Sequence, residues 1–135
     1  MKQKFAFTRG AEAAFKPGFR SYFQDRDLGV KQATGGRFTA EVHRACAPCP
    51  KEGSGVHWHS VDFQFNYVLR GWIRVWIDGE GEFTFRAGDT WIQPPAIRHD
   101  VRGFSADFEV LEIVSPGVFD THEVDAGQAG AARGT

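Results

Sequence analysis

The clearest pattern along the chain is alternation with a period of two, the signature of strands with one buried face. Phe63, Phe65, Tyr67 and Leu69 share one face of a segment, and Gln64, Asn66, Val68 and Arg70 share the other. After Gly71, Ile73, Val75 and Ile77 alternate with Trp72, Arg74 and Trp76. Asp78-Gly79-Glu80-Gly81 then predicts a tight hairpin, with Phe83 and Phe85 flanking Thr84 on the return. Thr90 to Gln93 predicts a short strand, ended by Pro94 and Pro95, which donate nothing to a ladder. Ile97, His99 and Val101 alternate with Arg98, Asp100 and Arg102, and Asp107 to Ser115 reads as a closing strand.

Upstream, Arg37 to Arg44 alternates as well, with Thr39, Glu41 and His43 on one face and Phe38, Ala40 and Val42 on the other. His43 falls with the polar set and is expected to be an exposed or edge histidine. Phe5, Phe7, Phe15 and Phe19 follow no sustained period, and no segment predicts a helix of ordinary length. Many short strands punctuated by Gly and Pro predict an all-β barrel or jelly roll. The expected organisation is an N-terminal arm with the first strands over 1–36, a barrel core over 37–118 and a tail over 119–135. The Gly- and Ala-rich end of that tail is expected to be disordered.

Composition narrows the class. The 135 residues suit one domain. The 13 Phe and 4 Trp suit a β-rich core. With 16 Lys and Arg against 17 Asp and Glu, nothing marks a nucleic-acid groove or a membrane patch. No apolar run suits a signal peptide or a membrane span, so a soluble, cytoplasmic protein is expected. The cysteines of Cys46-Ala47-Pro48-Cys49 lie among prolines in a β context and read as an inert loop pair.

The chemistry gathers at His57-Trp58-His59. On a strand, residues i and i+2 point to one face with backbones roughly 6.5–7 Å apart. Two imidazoles so placed can converge on one metal ion. Gln64 adds a carbonyl oxygen, and His99 a third imidazole.

These residues resemble the cupin superfamily. Its first motif is matched by His57 and His59, four residues, Gln64, six residues and Gly71. Its second is matched by Gly88, five residues, Pro94, Ala96 and His99. Gln64 stands where the motif has Glu, Ala96 where it has Gly, and Gly103 where it has Asn. The resemblance implies a double-stranded β-helix, the cupin jelly-roll barrel, with His57, His59, Gln64 and His99 as ligands of one divalent metal ion. Fe(II) is expected first, with Zn(II), Mn(II) or Ni(II) as alternatives.

Three imidazoles and an amide carry no charge, so a divalent ion held by them keeps its full +2 charge. That favours a small anionic, chelating substrate. Ile73, Val75, Phe83, Phe85, Val101 and Trp91 are expected as apolar walls. The resemblance implies a dioxygenase acting on an enolisable molecule such as a β-diketone. An oxygen-independent lyase or isomerase of a hydroxy or keto acid is the alternative, and a non-catalytic ligand-binding protein the third. No acid–base pair is evident; Glu112, Tyr67, Gln93, Arg70 and Arg74 qualify by residue type alone. If Gln64 faces inward, Phe63, Phe65 and Tyr67 face outward and need cover. A homodimer is the expected answer.

Overall fold

A computed structural model describes residues 2–124. Eleven strands form among them: β1 (Lys16–Pro17), β2 (Phe23–Asp27), β3 (Thr39–Ala45), β4 (His57–His59), β5 (Phe63–Arg70), β6 (Trp72–Ile77), β7 (Gly81–Arg86), β8 (Thr90–Ile92), β9 (His99–Phe104), β10 (Glu109–Ser115) and β11 (Thr121–Glu123). One helical turn, α1 (Val30–Ala33), follows β2. One sheet has the order β1-β2-β3-β10-β5-β8 and the other β11-β4-β9-β6-β7. All pairings are antiparallel, and the two sheets face each other as a jelly roll.

The alternation read from the chain sets the inner faces. Ile73, Val75 and Ile77 of β6 are buried, as are Gln64, Asn66 and Val68 of β5. Val68, Val75, Phe108 and Val114 are almost wholly withdrawn from water. Each such side chain contributes about 1.5–3 kcal/mol by its burial. The hairpin β6–β7 turns at residues 78–80, where expected. The outer face of β5 keeps Phe63, Tyr67 and Leu69 about 40% exposed, and Ile92 beside it 60%. The N-terminal arm lies instead against α1 and β2, where Lys4 N–H donates to the Ala33 carbonyl and Arg26 to the Thr8 hydroxyl.

The large sheet begins with β1 and β2, before residue 37, where the first strands were expected over 1–36. At the other end, β11 lies beyond residue 118 and pairs with β4, so the barrel includes part of the expected tail. Residues 125–135, where disorder was expected, lie outside the described residues. Gly53 is needed where the chain enters β4: its φ is +79°, and a Cβ there would meet the Val101 carbonyl at 2.7 Å.

Candidate metal centre and its cavity

β4 and β9 are neighbours with His57 opposite His99, while His59 lies two residues along β4 on the same face. The three rings therefore converge. Their centroids are 5.1 Å (His57–His59), 4.1 Å (His57–His99) and 4.9 Å (His59–His99) apart. One ring nitrogen from each lies within 4.8 Å of the others.

The opposite nitrogens are anchored. His57 Nδ1 donates to the Gly55 carbonyl (2.7 Å) and His99 Nδ1 to the Ile97 carbonyl (2.9 Å). His59 Nδ1 bonds the Thr121 hydroxyl of β11 (2.9 Å). A proton held on Nδ1 leaves Nε2 with a lone pair, the arrangement that orients a metal-binding imidazole. Burial pushes all three pKa values down, that of His59 to about 4, with His57 adding to its shift. Near neutral pH the cluster is uncharged. Three convergent neutral nitrogen donors suit a borderline divalent ion, so the cluster can hold a metal.

Gln64 is buried on the inner face of β5 beside this cluster. Its Nε2 donates to Glu112 Oε2 at 2.7 Å. Its Oε1 accepts from Gln93 Nε2 at 3.1 Å, and the same Gln93 amide lies 3.1 Å from His99 Nε2. His99 Nδ1 already carries a proton, so Nε2 is the acceptor. Gln93 thus donates to the Gln64 oxygen and the His99 nitrogen together.

Beyond Gln64 lies a second polar cluster. His43 Nε2 is 2.8 Å from Glu112 Oε1, and His43 Nδ1 is 2.6 Å from Asp25 Oδ1. Glu41 lies opposite Glu112 in the β3–β10 ladder. Burial alone would depress the His43 pKa, but Glu112 and Asp25 hold it well above its usual range. Burial would raise Glu112; His43 and the Gln64 amide hold it below. Burial raises Glu41. His43 is therefore neither exposed nor at an edge. The Glu41–His43 face of β3 is the one turned to the cavity, which Glu112 of the neighbouring β10 also lines, while Ala40 and Val42 are buried on the opposite face.

Both clusters line one cavity of about 460 Å³. Ile73, Val75, Trp91 and Val101 supply apolar wall as expected. Phe83 and Phe85 do not: Phe83 is 40% exposed, and Phe85 stacks on Trp91 with the rings 4.5 Å apart. Of the acid–base candidates, Glu112 and Gln93 face the cavity. Tyr67 is on the outer face, Arg70 pairs with Glu109 at the surface, and Arg74 pairs with Glu82. Asp25, Glu41 and His43 did not emerge from the sequence; two ionisable side chains, Glu41 and His43, alternating on one face of a strand are the signal for them. Cys46 and Cys49 are free thiols in their loop, and burial pushes Cys49 up.

A family model described as a cupin domain matches residues 49–114. The fold is similar to that of KdgF from Halomonas sp., with 21% identity, a TM-score of 0.66 and coverage of 84% of this chain and 94% of that one. It is similar to the polyketide cyclase RemF from Streptomyces resistomycificus, with 15% identity, a TM-score of 0.71 and coverage of 90% and 87%. Salicylate 1,2-dioxygenase from Pseudoaminobacter salicylatoxidans shares 15% identity with a TM-score of 0.62, over 80% of this chain and 31% of that one. No curated protein matches the sequence. Among the described residues no helix is long and apolar enough to cross a membrane.

Proposed function

From a chain that belongs to the cupin superfamily, we propose a metal-dependent enzyme that moves protons on a small, anionic, enolisable molecule, in the manner of a lyase or isomerase. The observation that carries this reading is the sharing of one cavity by three neutral imidazoles and the Asp25–His43–Glu112 array with Glu41. The resemblance alone implies dioxygenase chemistry; the acid–base array favours proton transfer.

His57, His59 and His99 would hold the metal, with Gln64 Oε1 as fourth donor once the Gln93 amide turns away. The metal would supply Lewis acidity where an enolate's charge develops. Glu41, made more basic by burial, would take the proton from the substrate carbon. His43, fixed as a cation between two carboxylates, would stabilise Glu41 in its ionised form and keep the array in register. Ile73, Val75 and Trp91 would exclude water from the apolar side of the substrate.

The test uses Zn(II)-loaded protein in D2O with 2-oxobutanoate, followed anaerobically by NMR. Deuterium entering at C3, dependent on the metal and lost in Glu41→Gln, is expected. Oxygen uptake by the Fe(II) form with pentane-2,4-dione, without such exchange, would instead favour the dioxygenase reading. The apolar wall and uncharged donor set speak for that second reading. We take the exposed β5 face as the contact between two copies; sedimentation tests it, the monomer mass being 15.0 kDa.

A further inference from the structure

The turn between β1 and β2 brings two more polar side chains, Arg20 and Tyr22, to the wall of the same cavity. Tyr22 is buried, 7% exposed, with its ring 4.8 Å from that of Phe23 and 5.5 Å from that of Phe104. Its hydroxyl makes no well-formed hydrogen bond. Ser54 lies beside it as a weak partner, its hydroxyl donating to Asp100 Oδ1 (3.1 Å) and accepting from Val101 N–H (2.9 Å). Burial raises the Tyr22 pKa, so the phenol keeps its proton and remains a donor.

Arg20 Nη2 is also buried without a hydrogen bond. It lies 2.9 Å from Glu123 Oε1, a charge contact without the angle of a directed bond. Glu123 is half exposed and sits on β11 opposite His57. Arg20 lines the same cavity wall as His57, His59 and His99. The histidine end of the cavity thus holds a guanidinium nitrogen whose carboxylate contact is poorly directed and a phenol without a well-formed bond, both withdrawn from water. Buried donors of this kind are rare without a partner to complete them. A planar carboxylate matches an arginine best, and a phenol can add a second bond.

We propose that Arg20 and Tyr22 form a carboxylate-binding subsite beside the three histidines, selecting small oxo or hydroxy acids over neutral diketones. The proposal rests on the reading above, in which a small anionic substrate occupies this cavity. Glu123 then has a defined part. It neutralises Arg20 in the free protein and is displaced when the substrate carboxylate arrives. Removal of Arg20 and removal of Glu123 therefore act in opposite directions on acid binding, which a merely structural Arg20–Glu123 pair would not produce.

The experiment is calorimetric titration of the full chain, with and without Zn(II), using 2-oxobutanoate and the neutral pentane-2,4-dione. Arg20→Gln is expected to weaken 2-oxobutanoate binding at least tenfold and to change dione binding less than twofold. Tyr22→Phe is expected to weaken the acid several-fold, and Glu123→Gln to strengthen it. Thermal melting of each variant checks that it folds. The proposal is overturned if the acid does not bind the wild type, if Arg20→Gln leaves its binding unchanged, or if acid and dione lose equally. Zinc uptake, read in the same titrations, reports separately on the histidine site. Charge-selective, Arg20-dependent binding to the metal-free chain would support the subsite even if zinc uptake failed.

Discussion

His43 and the trio His57, His59 and His99 occupy the same cavity, yet His43 is a cation and the trio is neutral. Burial pushes all four toward the neutral form. What separates them is the acceptor. The trio bonds to two backbone carbonyls and a hydroxyl, so each ring keeps one proton and one lone pair. His43 stands between two carboxylates, so both of its nitrogens donate. A buried histidine becomes a metal donor beside neutral acceptors and a fixed cation between anionic ones.

The largest test of that contrast is alanine at each histidine. Structural zinc sites with four ligands hold about 10–16 kcal/mol. A quarter share, about 2.5–4 kcal/mol, predicts that His57→Ala, His59→Ala or His99→Ala each weakens Zn(II) binding by roughly 70- to 900-fold. His43→Ala should weaken it by no more than about tenfold, since it acts through Glu112 and Gln64. Competition against a chromophoric chelator gives both numbers. Equal losses at all four positions would erase the distinction.

Gln64 is the seam between the two regions, and it explains why an amide stands where the motif has Glu. Its Nε2 donates to Glu112 Oε2 at 2.7 Å, and Glu112 is already held as a carboxylate by His43. A second carboxylate there would face the first in a buried setting. Gln64→Glu should therefore destabilise the metal-free protein by about 2 kcal/mol. Gln64→Glu combined with Glu112→Gln exchanges amide and carboxylate and should recover most of that loss, a coupling measurable by urea unfolding. A Gln64→Glu single variant as stable as wild type would remove this account of the seam.

The chain shows part of this site openly. Period-two alternation on β5 places Gln64 inside and Tyr67 outside, and the spacing of His57, His59 and His99 brings three rings together. Alternation on β3 was equally clear, but it assigns faces without saying which is interior. That depends on Glu112, which lies 69 residues away from His43 along the chain. Thr121 was hidden for a related reason. β11 is only three residues long, and its pairing with β4 rather than its own sequence makes it a strand. Phe83 and Phe85 followed the correct period on an edge strand whose inner face lies outside the cavity wall.

A smaller effect should appear in the pH dependence of stability of the metal-free protein. The folded pKa of His43 is raised above its unfolded value, so its contribution is fully present below pH 6.5 and is lost as pH rises through the folded pKa. Lowered pKa values in the trio act the other way: stability falls as pH drops below 6.5 toward the folded values, about 4 for His59. Each proton changes the slope by at most about 1.4 kcal/mol per pH unit. His43→Gln should abolish the alkaline loss and leave the acid one. Urea midpoints measured from pH 5 to 9 decide it; an unchanged alkaline limb in His43→Gln would contradict the charged state assigned to His43.

The smallest effect lies in the backbone that carries the trio. Ala96 has φ +61°, left-handed, where the motif has Gly. This turn lets Ala96 N–H donate to the His59 carbonyl at 3.2 Å and leads three residues on to His99. A non-glycine residue there costs about 1–2 kcal/mol, while glycine loses roughly 0.5–1 kcal/mol more entropy on folding. Ala96→Gly should therefore stabilise the protein by about 0.5–1 kcal/mol and change Zn(II) affinity less than twofold. The variant acts on one region alone, so the alkaline limb attributed to His43 should keep its slope. A drop in Zn(II) affinity with rising stability would mean that strain at Ala96 itself holds His59 and His99 in place.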